Sequence, residues 1–231
     1  MKKKALMSWS SGKDSAWALY QLQQNPEIDL VGLFCTVNKA FDRVAMHGVR
    51  VELLQKQAES IGLPLEIIEI PYPCSNEEYE KIMGGFVERA KNNQIEYFAF
   101  GDLFLEDIRK YREDKLKDSG IKPVFPIWGM PTDKLAREMI RSGLRTMITC
   151  IDPKQTPKEF AGREFDAHFL DSLPETIDPC GENGEFHSFV FDGPMFKQPI
   201  EIVLGDIVHR DDFVFADILP KSLCAAREAA G

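Results

Sequence analysis

The short run from Ser10 to Ser15 has residue types that could hold a phosphate group. It reads Ser-Ser-Gly-Lys-Asp-Ser and joins a predicted strand to a predicted helix. Backbone N–H groups and the helix dipole favour an anion at a helix N-terminus, and Lys13 adds a positive charge. The run is not a Walker A loop, because Met7 stands where Gly is required and Asp14 where Ser or Thr is required, and it is not G-x-G-x-x-G. The residues alone leave two interpretations open, a phosphate site and an ordinary polar helix cap.

Two further segments combine small and charged residues at the ends of predicted elements. Residues 101–109 read Gly-Asp-Leu-Phe-Leu-Glu-Asp-Ile-Arg and follow a predicted strand. Glu106, Arg109 and Glu113 are spaced to share one helical face, which a solvent-exposed, salt-bridged helix would also show. Residues 181–187 read Gly-Glu-Asn-Gly-Glu-Phe-His, with two carboxylates and an imidazole leading into a strand. An ordinary hairpin turn is the alternative for this segment.

Alternating strand and helix patterns are expected to position these segments. The sequence predicts strands at 5–9, 30–37, 65–70, 96–101, 122–127 and 144–151, and helices over 14–24, 48–60, 75–92, 104–117 and 131–142. This alternation predicts an α/β fold with a doubly wound parallel sheet, whose ligands bind beyond the carboxyl ends of the strands.

The pattern changes after Asp152, where prolines become frequent. A short helix at 165–173 and strands at 185–191, 200–204 and 213–218 predict a smaller α+β unit. We therefore predict one domain over residues 1–150 and a second over residues 151–231.

Composition excludes several classes of protein. The chain has 231 residues, 44% of them hydrophobic and 28% charged, which is typical of globular proteins rather than collagen-like, disordered or membrane-spanning ones. A net charge of -9 disfavours binding to duplex nucleic acid. The five cysteines form no C-x-x-C pair, so the sequence predicts no resident metal site. With no signal peptide or membrane span predicted, we expect a cytoplasmic location.

Taken together, the three segments resemble the diphthine-ammonia ligase family of PP-loop ATP pyrophosphatases. Residues 10–15 are similar to its S-G-G-x-D-S signature, with Ser11 in place of the first Gly, and residues 101–109 and 181–187 follow in the same order and at matching separations. The resemblance covers nearly the whole chain. It implies an N-terminal nucleotide α-hydrolase domain of PP-loop type and a C-terminal domain peculiar to the family. Ser11 should be tolerated unless its position needs a positive φ.

The resemblance also implies roles for individual residues. Nucleotide contacts are implied for Ser10, Ser11, Gly12, Lys13, Asp14, Ser15, His47 and Gly101. A catalytic role is implied for Lys13, Asp102, Glu106, Arg109, Glu182 and Glu185. Contacts with an acceptor substrate are implied for Glu182, Asn183, Gly184, Glu185 and His187.

The activity that the resemblance implies is an ATP-dependent amide ligase that uses Mg²⁺. ATP would adenylate an acceptor carboxylate, and ammonia would then displace AMP. Diphthine ligases read E-G-G-E, an aromatic residue and Glu, whereas this chain has Asn183 and His187 in the corresponding places and looks like a bacterial branch, so the acceptor stays open. Neither membrane nor nucleic acid is an expected partner, and self-association into a homo-oligomer is left open.

Three alternatives to this activity remain. The chain could be a PP-loop ligase for another small molecule, as in cobalamin-related salvage. It could modify tRNA, although the acidic balance and the absence of C-x-x-C argue against that. The third alternative is a non-catalytic adenine-nucleotide sensor of the same fold.

Overall fold

A curled, mostly parallel sheet and a separate antiparallel sheet organise the chain. The computed structural model describes residues 2–41, 43–44, 48–210 and 212–222. The strands are β1 (Lys3–Ser8), β2 (Ile28–Asn38), β3 (Arg43–Val44), β4 (Leu65–Ile70), β5 (Tyr97–Ala99), β6 (Lys122–Val124), β7 (Arg145–Ile151), β8 (Phe186–Asp192), β9 (Ile202–Arg210) and β10 (Phe213–Pro220). The helices are α1 (Lys13–Gln23), α2 (Val51–Ile61), α3 (Asn76–Asn92), α4 (Glu106–Leu116), α5 (Thr132–Arg141) and α6 (Ala167–Ser172), with a 3₁₀ turn at Lys158–Phe160.

The first sheet has the order β3-β2-β1-β5-β6, and β4 also pairs with β2. Its pairings are parallel except for β3, which runs antiparallel to β2. The central strand β1 is apolar where it meets the core, and Ala5 and Met7 are fully buried, as expected for a strand covered on both faces. The predicted parallel α/β fold is confirmed, and the carboxyl ends of β1, β2 and β5 meet at one edge of the sheet.

The strand predicted at 144–151 forms as β7, but it does not join the parallel sheet. It pairs antiparallel with β8 and β10 in the second sheet, whose order is β8-β7-β10-β9. A run of apolar residues indicates a buried strand but does not specify which strands pair with it. The pattern therefore could not show that β7 belongs to the antiparallel sheet. Since β7 crosses residue 150, the division into domains at that point stays a prediction.

The two sheets share one hydrophobic core. Trp9 and Leu19 belong to the same buried cluster as Phe169 and Phe189. The first two residues lie within residues 1–150, which we call the first region, and the other two lie within residues 151–231, the second region. This packing holds the first loop and the second sheet together. None of the helices in the described ranges has the length and apolar character needed to cross a membrane.

Candidate functional site

A cavity of about 970 Å³ opens at the carboxyl edge of the parallel sheet. Eight residues predicted as site residues line it: Ser10, Lys13, Asp14, Ser15, Gly101, Asp102, Glu182 and His187. These residues come from all three sequence segments, so the tertiary structure brings the segments to one place. His47 lies outside the described residues.

The first loop enters α1 without a side-chain cap. Gly12 precedes the helix in an extended conformation and provides no side-chain cap, and the Lys13 N–H of the first turn donates to Ser188 Oγ at 3.3 Å. The Ser15 hydroxyl instead donates to the Gly12 carbonyl at 2.9 Å. The helix N-terminus beside the cavity is therefore suited to an anionic ligand.

Ser11 departs from what the sequence led us to expect. Its φ is +72°, its side chain is fully buried, and its hydroxyl oxygen has no hydrogen-bond partner among the described residues. The position thus adopts the left-handed conformation that glycine favours. The Ser11 hydroxyl is buried and Ser11 is not in the cavity wall, so the nucleotide contact predicted for Ser11 would have to come from its backbone.

A buried glutamine fixes the backbone of this loop. The Gln57 amide donates to the Ser11 carbonyl at 3.0 Å and to the Val190 carbonyl at 2.6 Å, and it accepts a hydrogen bond from Trp9 Nε1 at 2.8 Å. The Val190 N–H also donates to the Ser11 carbonyl at 2.9 Å. These bonds tie the end of β1 to α2 and to β8, which makes the loop rigid. Gln57 was not predicted, because only its buried contacts set it apart from other helix residues.

Lys13 lies between the loop and the second region. Its ammonium group donates to Asp14 Oδ2 at 2.8 Å and to the Cys180 carbonyl, and it lies 5.3 Å from the centre of the Phe186 ring. Burial is the largest single effect and lowers the pKa of Lys13, but the Asp14 carboxylate together with the nearby Cys180 and Glu182 outweighs it, so the pKa is raised overall. Lys13 is therefore held as a cation at the cavity wall.

Gly101 allows the end of β5 to approach the first turn of α1. A Cβ atom at this position would lie 2.8 Å from the backbone carbon of Asp14 and 2.8 Å from the nitrogen of Ser15. Backbone atoms cannot move aside as a flexible side chain can. Glycine is required here because a larger residue would push the loop and β5 apart.

Glu182 connects the second region to the cavity. Its Oε1 accepts a hydrogen bond from the Leu103 N–H at 2.7 Å. Burial raises its pKa to about 7, and the negative charges of Asp14 and Asp102 act in the same direction, while the Leu103 bond opposes them. A carboxyl group that titrates near neutral pH is suited to accepting and releasing a proton.

The other residues of the 181–187 segment divide between two roles. Glu185 is buried, and its Oε1 accepts hydrogen bonds from the Asp178 N–H at 3.0 Å and from Asn183 Nδ2 at 2.9 Å. The structure therefore uses Glu185 and Asn183 to order the turn, and these two residues and Gly184 are not in the cavity wall. His187 does line the cavity, where burial and the charge of Lys13 lower its pKa to about 4.

Two predicted residues of α4 also lie outside the cavity wall. Glu106 is exposed, and Arg109 donates to Glu113 at 2.8 Å while its guanidinium lies 4.8 Å from the centre of the Trp128 ring. The salt-bridged face left open by the sequence therefore describes Arg109 and Glu113. Neither Glu106 nor Arg109 is brought to the residues that surround the loop.

Arg112 is the arginine that the structure places in the cavity wall. It makes two hydrogen bonds to Asp102, at 2.5 and 3.1 Å, and its guanidinium lies 4.3 Å from the centre of the Phe100 ring. A sequence signal for Arg112 existed. Leu105, Ile108, Arg112 and Leu116 are spaced by three or four residues, which predicts an apolar stripe with Arg112 in it.

The parallel sheet, the loop at its central strand and the adjoining helix N-terminus define the first region as a nucleotide-binding fold of PP-loop type. The sequence profile of the diphthamide synthase N-terminal domain matches residues 1–123, and that of the diphthamide synthase C-terminal domain matches residues 131–222. The chain therefore belongs to the diphthamide synthase family, as its motifs predicted.

Relatives with established names agree with this assignment. The diphthine–ammonia ligase of Homo sapiens is 25% identical over 163 residues, which cover 68% of this chain and 61% of that protein. The diphthine–ammonia ligase of Mus musculus is 24% identical over 230 residues, covering 90% and 86%. That of Danio rerio is 29% identical over 177 residues, covering 70% and 69%. The match thus spans about three fifths of the human relative's length, and the ligase class predicted from the sequence agrees with the names of all three.

Proposed function

We propose that the chain is an ATP-dependent ligase that activates an acceptor carboxylate for attack by ammonia. One observation supports this most strongly: Lys13 of the first loop and Glu182 of the second region line the same cavity. A ligase of this kind must hold ATP phosphates next to the group that is activated. The relatives are named for diphthine and ammonia, which supports ammonia as the nitrogen donor, while Asn183 and His187 keep the acceptor of this chain open.

The proposed reaction has two steps. An acceptor carboxylate oxygen attacks the α-phosphorus of ATP, and the bond to pyrophosphate breaks to leave an acyl-adenylate. Ammonia then attacks the acyl carbon, the bond to AMP breaks, and the attacking nitrogen loses a proton. We assign the departing pyrophosphate to the N-terminus of α1 and Lys13, which stabilise its negative charge. Glu182 is the proposed acceptor of the proton.

The carboxylates of the cavity fit a magnesium ion bound with ATP. Asp14 and Asp102 would provide oxygen ligands of the kind that Mg²⁺ prefers, which leaves Glu182 available to take up the proton. Within the described residues no three His, Cys, Asp or Glu side chains form a closed metal cluster. Mg²⁺ that accompanies phosphates needs only one or two protein carboxylates, so an open arrangement is sufficient. When bound, the ion would share the negative charge of the phosphates.

The test is to identify the products. The protein is incubated with ATP, Mg²⁺, ammonium and a panel of carboxylic acids, and AMP, pyrophosphate and ADP are separated and quantified. We expect acid-dependent release of AMP and pyrophosphate in equal amounts. Release of ADP and phosphate would refute the mechanism, and ATP binding without turnover by any acid would favour a nucleotide sensor.

A matched pair of variants tests the role of Glu182. Glu182→Gln removes the carboxylate from the cavity, whereas Glu106→Gln makes the same change on an exposed part of α4. We expect Glu182→Gln to reduce AMP release by about a hundredfold with ATP affinity nearly unchanged, and Glu106→Gln to resemble the wild type. A large loss of ATP affinity in Glu182→Gln would show that this residue belongs to the nucleotide site.

A further inference from the structure

One part of the cavity has a different chemistry from the loop and its carboxylates. Between α3 and α4 the inner part of the lining is apolar: Phe34 and Phe98 form the floor, Met83 and Val87 line the α3 side, and Ile108 lines the α4 side. The exposed rim is polar and carries Glu80, Glu88, Tyr111 and Lys115. We call this part the α3–α4 compartment. Phe34 and Phe98 are nearly fully buried, with ring centres 4.9 Å apart, so the floor is fixed by core packing.

The charged side chains near the compartment pair with one another. Lys115 of α4 forms an ion pair with Glu80 of α3, Arg112 forms one with Asp102, and Glu88 of α3 forms one with Lys91. These pairs reduce the charge available to a ligand. The compartment is therefore suited to an apolar group rather than to a second ionic one.

Gly84 opens the α3 wall of the compartment. It lies in the middle of a 17-residue helix, followed by Gly85, where each glycine costs about 1 kcal/mol relative to alanine. A Cβ atom at Gly84 would have no heavy atom within 4 Å, and the residue lines the cavity. Gly85 does not line it, and a Cβ there would approach only Arg89 Nη1, at 3.7 Å. Gly84 is exposed, so it leaves an opening at the rim of the compartment that a side chain would narrow.

We propose that the acceptor acid carries an apolar, ring-sized body that enters the α3–α4 compartment, and that Gly84 sets the size it can have. This inference rests on the proposed ligase function. A cavity of about 970 Å³ is at the upper end of the range for one small ligand, as expected where ATP and an acceptor are held together. The adenine base is the less favoured occupant, because its ring nitrogens and amino group would lose water against the carbon-lined floor.

Two glycine replacements in the same helix test the proposal. Gly84→Leu places a side chain in the compartment, and Gly85→Leu is the control outside it. Both replacements remove a glycine from a helix interior, so both variants should be at least as stable as the wild type. Three measurements are made on each protein: AMP release with acetate, hexanoate and phenylacetate, ATP affinity by calorimetry, and phenylacetate binding by saturation-transfer NMR.

We expect the wild type and Gly85→Leu to prefer hexanoate or phenylacetate over acetate by about tenfold or more, and Gly84→Leu to lose that preference while keeping its ATP affinity. Equal use of the three acids by the wild type, or an unchanged preference in Gly84→Leu, would overturn the inference and leave the ligase function standing. A selective loss of ATP affinity in Gly84→Leu would overturn it in favour of the adenine base. If no acid releases AMP, the proposed ligase function fails. In that case the apolar site would still be supported if phenylacetate binds to the wild type and to Gly85→Leu but not to Gly84→Leu.

Discussion

Replacing Ser11 with glycine should stabilise the protein. Ser11 has a φ of +72°, a conformation that costs a residue with a Cβ atom about 1–2 kcal/mol. Its buried hydroxyl has no hydrogen-bond partner in the described part of the chain, and leaving such a group unsatisfied costs about 1–3 kcal/mol. Glycine removes both costs.

Two effects oppose this gain. Glycine loses more conformational freedom on folding, at a cost of about 0.5–1 kcal/mol. Removing Cβ and Oγ from a fully buried position also leaves a small gap, which offsets most of the hydroxyl contribution. The balance is an increase of about 1–2 kcal/mol in the free energy of unfolding, and at about 2–4 °C per kcal/mol the Tm should rise by roughly 4 °C.

The assay is thermal unfolding followed by calorimetry, with two controls. Ser11→Ala removes the hydroxyl and keeps the backbone cost, so its Tm should lie between those of the wild type and Ser11→Gly. Gln94→Gly relieves a φ of +62° at an exposed residue, where no buried hydroxyl is involved. Its Tm should therefore rise by less than that of Ser11→Gly, because only the backbone cost is removed. A Tm for Ser11→Gly at or below that of the wild type would refute the reasoning, because it would show that the serine side chain makes a stabilising contact.

Three further predictions concern the cavity. Gly101→Ala places a methyl group 2.8 Å from the nitrogen of Ser15, so ATP affinity measured by calorimetry should fall by about tenfold or more, and an unchanged affinity would contradict the close approach. Because the pKa of Glu182 is raised from 4.5 to about 7, the folded state binds its proton more tightly than the unfolded state, so this contribution to stability is complete below pH 4.5 and is lost as the pH rises through about 7. The Tm of the wild type should therefore fall relative to that of Glu182→Gln over this interval, and parallel pH profiles would contradict the shift. Arg112→Lys should reduce AMP release by about tenfold because lysine cannot make the paired contacts of a guanidinium, whereas Arg109→Lys, outside the cavity, should have little effect, and equal losses would refute the assignment.

Local patterns identified most of the elements that build the site. The strand at Leu65–Ile70 was predicted with the bounds that the structure has, and α1 begins one residue before its predicted start. The spacing of apolar residues shows which face of a helix or strand is buried, and this spacing depends only on residues that are close in the sequence. Very short elements cannot be predicted from periodicity. The strand β3, at Arg43–Val44, was not predicted because two residues show no period.

The partners of an element were harder to predict than its type. Antiparallel pairing of β7 with β8 and β10 depends on residues far along the chain, which the apolar run at 145–151 does not specify. The same limit affected α4, where the charged spacing pointed to Arg109. Rotation of a helix about its axis is set by packing against the sheet, and this packing brings Arg112 to the cavity.

The sequence by itself determined the family, the parallel α/β fold and the three segments that meet at the cavity, because the order of residues such as Lys13 and Asp14 in a loop is a local property. Tertiary structure alone decided which carboxylate of the 181–187 segment faces the cavity. Glu182 and Glu185 are equivalent in type and three residues apart, but the turn buries Glu185 against the backbone of Asp178 and directs Glu182 to Leu103. Only the folded chain creates that difference, since it comes from hydrogen-bond donors that the fold brings to each side chain.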